Sequence, residues 1–236
     1  MPERLAYDEA MRFAHIRLQI NDPEISQGAV ETITVSTKMG QIVQPWGVEG
    51  GFAVVYKFRT RSGKFRALRC FRREMDPDTQ FRYEHIGPYF QAHITHITAG
   101  FKYHPQGILI KEPSAPPQGK IYPVIEMEWI EGTTLLDTVD ELCLRRDQEG
   151  LRDLGQRWLS LLKHMQRAHI AHGDLAGGNV MVRHDGSLVL IDYDGVYIPD
   201  FTTHNLRQML LGQPDYQHPQ MSKRLFNEHA DAFSAL

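Results

Sequence analysis

Apolar and polar positions alternate most clearly in the stretch beginning at Phe52. Phe52, Val54, Tyr56 and Phe58 interleave with Ala53, Val55 and Lys57, and that period of two predicts a strand. A turn at Ser62-Gly63 and a second apolar run, Phe65 to Phe71, complete an antiparallel hairpin. Over 77–93 the spacing changes: Phe81, Ile86, Tyr89 and Phe90 recur at helical intervals, with Gly87-Pro88 expected to break or kink the helix. His104–Ile110 and Ile121–Ile130 are strand-like, joined by the Pro-rich surface connection 112–119. Leu151, Leu154, Trp158, Leu161, Leu162 and Met165 mark an amphipathic helix. Val180–Val182 and Leu188–Ile191, around a turn at His184-Asp185-Gly186-Ser187, predict a small hairpin. Residues 7–14 are weakly helical, and the polar stretch that follows, to about Gln44, has no clear period. Strands with one helix in the first half and mostly helices in the second predict an α+β chain of two lobes, meeting near residues 129–132.

Composition narrows the class without naming a chemistry. The 236 residues are 42% hydrophobic and 23% charged, the balance of a globular chain with ample core. No apolar run approaches the roughly 20 residues that cross a bilayer, so no membrane association is expected. The N-terminal MPERLAYDEA lacks the apolar stretch of a secretory signal. A net charge of −3 argues against a broadly basic nucleic-acid surface. Two cysteines cannot form a disulfide framework, which fits a cytoplasmic location.

Chemistry gathers around the small hairpin. Asp174 precedes it in His172-Gly173-Asp174-Leu175, Asn179 opens its first strand, and Asp192 closes its second. Two short strands and a tight turn nearly fill the interval from 179 to 192, which returns Asn179 and Asp192 to one end beside Asp174. Two adjacent side-chain oxygens make a hard-oxygen site suited to Mg²⁺, which keeps water and phosphate oxygens as its other ligands. Asp174 is left to orient or deprotonate a hydroxyl.

HGDLAGGN followed by LIDYDG resembles the catalytic loop and metal-binding motif of the protein-kinase-like fold, the HGD form being shared with aminoglycoside phosphotransferases and other atypical kinases. Val48 to Lys57 is similar to its glycine-rich loop and following strand, and Met127 to Gly132 to its interlobe hinge. Gly212 to Gln220 resembles the end of an activation segment, and Asp231-Ala232-Phe233-Ser234 the start of the large lobe's central helix. The resemblance spans about residues 44–236. It implies a bilobal fold: an N-terminal extension (1–43), a β-rich small lobe (44–130), and a mostly helical large lobe (131–236), incomplete at its C-terminus.

By the same resemblance Asp174 is the catalytic base, Asn179 and Asp192 hold Mg²⁺, and Arg69 and Glu84 are the small-lobe ion pair. ATP would lie under Gly50 and Gly51, with Val55 and Ala67 on one adenine face, Met181 on the other, Met127 as gatekeeper, and the backbone of Glu128 and Ile130 at the adenine edge. The chain departs from the family in three places. Arg69 stands where a lysine is usual, and its planar fork holds phosphate differently from a point charge. Val48 and Ala53 replace two loop glycines, and Gly173 replaces the arginine that reads a phosphorylated activation loop in many kinases. The resemblance thus implies a Ser/Thr protein phosphotransferase of weak activity, or a pseudokinase scaffold that binds a partner protein, or a small-molecule kinase.

Several residues have blander readings. Asp194, where a kinase usually has glycine, is either a second metal contact or a turn residue. Among the twelve histidines, His93/His96 and His164/His169/His172 lack a completing Cys or acid at zinc spacing. His172 is expected to hydrogen-bond backbone and hold the catalytic loop. Thr202 and Thr203 are ordinary loop residues, and Trp46, Trp129 and Trp158 are packing residues.

Overall fold

A computed structural model describes residues 1–37, 40–75, 77–111, 116–204, 206, 212–217 and 226–236. The chain begins with α1 (Arg4–Arg12), α2 (Ala14–Arg17) and α3 (Pro23–Ser26). Then follow β1 (Ala29–Val30), β2 (Thr32–Thr37), β3 (Gly40–Pro45), β4 (Gly47–Glu49), β5 (Ala53–Arg59) and β6 (Phe65–Phe71). After α4 (Thr79–His93) come β7 (Phe101–Ile110), β8 (Lys120–Glu128) and β9 (Gly132–Thr134). The remainder is α5 (Leu135–Arg145), α6 (Gln148–Arg167), β10 (Val180–Arg183), β11 (Leu188–Leu190) and single 3-10 turns. Mixed strands and helices give the expected α+β kinase-like fold. Contacts divide the chain into a first unit, Met1–Gln80 with Phe101–Trp129, and a second, Phe81–Gly100 with Ile130–Leu236.

In the first unit, β1, β5, β6, β8 and β7 lie side by side, with β4 also on β5, all pairs antiparallel. Alternation along these strands sorts side chains onto two faces. Val54, Tyr56 and Phe58 of β5 share a core with Leu68, Cys70, Ile108, Ile110 and Val124. The N-terminal helices supply its cover: Tyr7, Ala10, Met11, Ala14, Leu18, Ile20 and Ile25 are all buried against it. The stretch without a visible period is therefore part of this unit's core. Its apolar residues come from two very short helices and the turns between them, so no single period runs through them.

The two tyrosine hydroxyls buried in this core are satisfied. The Tyr7 hydroxyl donates to the Phe71 carbonyl at 2.7 Å, and the Tyr56 hydroxyl to the Asp8 carboxylate at 2.6 Å. Burial, then the bond to Asp8, pushes the Tyr56 phenol far above its ordinary range. Burial alone raises the Cys70 thiol.

The second unit contains the three-stranded sheet β11-β10-β9, all antiparallel. The hairpin forms as expected: the Asp185 carboxylate accepts from the Ser187 N–H and hydroxyl at 2.8 and 2.6 Å, which lowers its pKa. Four features differ from the pattern. Helix α4 runs unbroken through Pro88. Proline forfeits only one N–H, and the residue whose carbonyl loses that bond, Glu84, is exposed to water. Strand β9 is too short for periodicity to register, and α5 has no fully buried residue to reveal it. Residues 228–235 form successive turns rather than the opening of a regular helix.

Candidate active site

Within the second unit the hairpin does what its length requires. The Ile191 N–H donates to the Asn179 carbonyl at 3.0 Å, so the strands close at Asn179 and Asp192 follows directly beyond. The Asn179 amide nitrogen donates to both the backbone carbonyl (2.8 Å) and the carboxylate (3.0 Å) of Asp174. Asp174 and Asn179 are thereby joined. With Nδ2 committed to Asp174, Asn179 has Oδ1 as the atom it can offer a cation. Asp192 is half-buried and adopts a left-handed backbone, φ 63°. An Asp in that region costs on the order of 1 kcal/mol and persists only where neighbours hold it.

Those neighbours are visible. The buried His172 ring donates from Nε2 to the Ile191 carbonyl at 2.8 Å, the backbone-holding role its position suggested. Tyr193 is 1% exposed; its hydroxyl donates to the Leu190 carbonyl at 2.6 Å and accepts from the Ala99 N–H at 2.7 Å. Gly173 is required where it stands. Its φ is 80°, and an added Cβ would lie 1.9 Å from the Gly195 carbonyl oxygen, so no arginine could occupy the position.

Two participants make bonds that their sequence motifs did not announce. Asp231, 5% exposed, accepts from the backbone N–H groups of His172 and, at 2.9 Å, Gly173. Its partners lie 59 and 58 residues earlier, a separation no local pattern reports. The Gln213 N–H donates to Asp174 Oδ1 at 2.9 Å, which sets the segment 212–217 against that carboxylate. Positions 218–220 of the activation-segment resemblance lie outside the described residues. Met181 packs on the small cluster of Ala99, Ile130 and Val189, so Met181 and Ile130 share one apolar patch. Glu84 is exposed on α4.

In the first unit, register places Val55 opposite Arg69, and Ala67 opposite both Lys57 and Met127. Val55, Ala67, Arg69 and Met127 therefore line the sheet face opposite the N-terminal helices. Arg69 is 4% exposed, its guanidinium 5.1 Å from the Phe71 ring centre. Glu128 ends β8 opposite Arg66. Gly50 and Gly51 form the β4–β5 turn, closed by a 2.8 Å bond from the Gly50 N–H to the Ala53 carbonyl. A Cβ at Gly51 would meet nothing within 4 Å, which leaves open space over that backbone.

Residues 121–223 match the family description of the ABC1 atypical kinase-like domain. The "Probable serine/threonine-protein kinase mkcD" of Dictyostelium discoideum is 34% identical over 97 residues, 40% of this chain and 14% of that protein. The serine/threonine-protein kinase AfsK of Streptomyces coelicolor is 25% identical over 187 residues, 78% of this chain and 22% of that protein; AfsK of Streptomyces griseus matches to the same extent. These matches support placing the chain with the protein-kinase-like superfamily. The kinase-like chain spans between about one seventh and one fifth of the length of these relatives. No helix among its described residues is long and apolar enough to cross a membrane.

Proposed function

We infer that the kinase-like chain binds ATP with Mg²⁺ and transfers the γ-phosphoryl group to a protein Ser or Thr hydroxyl. What carries this reading is the bonded group at the foot of the hairpin: Asn179 fixed on Asp174, with Asp192 one residue beyond the closing Ile191–Asn179 bond. The donor set fits the ion, since Asn179 Oδ1 and the Asp192 carboxylate are hard oxygens and too few to exclude phosphate. Mg²⁺ held there would neutralise charge on the phosphate oxygens.

The remaining steps belong to side chains of the chain. Asp174 orients the acceptor hydroxyl and takes its proton as the oxygen bonds to the γ-phosphorus and the bond to the bridging oxygen breaks. Arg69 steadies the other phosphates. The open backbone at Gly50 and Gly51 admits the phosphates, and the face lined by Val55, Ala67 and Met127 takes the adenine, its edge on the backbone of Glu128. No nucleic-acid or membrane partner enters this scheme, and the reaction suits the cytoplasm.

A second reading, a pseudokinase scaffold that binds nucleotide or a partner protein without transfer, has two observations in its favour. Arginine replaces lysine at position 69, and the Gln213 N–H engages Asp174 Oδ1. Thermal unfolding with ATP, with and without Mg²⁺, followed by phosphotransfer to a generic protein substrate, separates the readings. The enzyme reading expects a Mg²⁺-dependent stabilisation and slow transfer, at least 10²-fold slower for Asp174→Ala. Binding without transfer selects the scaffold, and no binding at millimolar ATP and Mg²⁺ removes both nucleotide readings.

A further inference from the structure

Asp194 lies two residues beyond the proposed metal ligand Asp192, half-buried at the end of a strained turn. Its carboxylate accepts a hydrogen bond from the hydroxyl of Tyr83, on α4, 111 residues earlier and only 3% exposed. The intervening residue is tied in the same direction. Tyr193 meets Phe90 of α4 edge to face at 5.0 Å, and its hydroxyl bonds Ala99 just past that helix. Both residues that follow Asp192 are thus fastened to the segment 83–99.

We propose that the Tyr83–Asp194 hydrogen bond is a latch that fixes the left-handed turn at Asp192 to α4, making Asp194 and Tyr83 positioning residues for the metal site rather than Asp194 a second metal ligand. The inference rests on Asp192 being that ligand. A carboxylate held by a charge-assisted bond to a buried phenol resists rotation toward a neighbouring cation. The same bond restricts the backbone dihedrals that separate Asp194 from Asp192. Losing it frees the turn to leave a left-handed conformation that is unfavourable for Asp.

The test measures the Mg²⁺ concentration at which ATP half-maximally stabilises the chain, for wild type, Tyr83→Phe, Asp194→Ala, Asp194→Asn and the double variant Tyr83→Phe/Asp194→Ala. The latch expects Tyr83→Phe and Asp194→Ala each to need about ten-fold more Mg²⁺. Affinity for ATP in chelator stays unchanged, and the double variant is no worse than either single one. Asp194→Asn, whose amide oxygen still accepts from Tyr83, stays near wild type. A metal ligand behaves otherwise: Asp194→Asn is as damaging as Asp194→Ala while Tyr83→Phe is silent, and that pattern overturns the latch. Amide hydrogen exchange without nucleotide gives a second readout. Tyr83→Phe accelerates exchange at 192–195 about ten-fold, and Asp194→Ala does so in the first turns of α4. Unchanged exchange in both segments overturns the latch even where wild type binds no nucleotide, an outcome that separately removes the reading of the site.

Discussion

The two units hold their chemistry-bearing residues in place by different physics. In the first, position follows from burial: one face of the sheet is sealed by α1 to α3, so residues of the other face, Val55, Ala67, Arg69 and Met127, are fixed by alternation alone. In the second, the reactive residues sit on loops and are placed by hydrogen bonds across long sequence distances, from Asp231 to His172 and Gly173 and from Tyr193 to Ala99. A packed face tolerates the loss of any one polar contact but not of volume. A bonded loop has the opposite sensitivities, because each unpaired buried N–H costs free energy that no neighbour can recover.

The largest expected effect is therefore a cavity in the first unit. Phe58 is fully buried between the sheet and the N-terminal helices. Phe58→Ala should destabilise by about 3–5 kcal/mol, read as a shift in the urea midpoint. A cost below about 1 kcal/mol would mean that α1 to α3 do not seal this core.

Asp231→Ala should come next, at about 2–4 kcal/mol, since it strands the N–H groups of His172 and Gly173 in a buried setting. The damage should be local. Amide exchange over 170–175 accelerates in the variant while β5 and β6 keep wild-type protection. Equal acceleration in both units would show that the loop and the sheet unfold as one, contrary to the contrast drawn above.

Legibility in the sequence divides along the same line. Strands β5 and β6 were readable because one face is core and the other is not, which imposes the period of two on Phe52 to Phe58. The cover of that core was not, because Tyr7, Met11, Leu18 and Ile25 come from separate short segments. At the site, Asp174, Asn179 and the hairpin that carries Asn179 to the residue before Asp192 followed from spacing, a local property of one turn. Asp231 suggested a helix start and instead serves as a hydrogen-bond acceptor, and the Tyr83 partner of Asp194 had no local signal. Partners 58 to 111 residues away follow from tertiary structure, which residue type and spacing do not encode locally.

The smallest effect belongs to the charged network at the edge of the first unit. Arg4 Nη1 lies 3.0 Å from Glu49, the residue before the Gly50-Gly51 turn, and Arg72 bonds Glu49 from the other side. The bond to Glu49 raises the Arg4 pKa, so the guanidinium stays charged throughout the working range. Its geometry invites a large role, yet the side chains are 29%, 37% and 24% exposed, and water screens such pairs. Arg4→Ala should cost under about 1 kcal/mol at low ionic strength. In 1 M NaCl, where the screening length is about 3 Å, most of that cost should vanish. Asp231→Ala, whose bonds run to buried backbone N–H groups, should cost nearly the same at both salt concentrations. The pair of salt dependences separates the two modes of placement more sharply than either stability alone. A cost for Arg4→Ala that persists in high salt would assign the residue's role to packing of its methylene stem rather than to its charge.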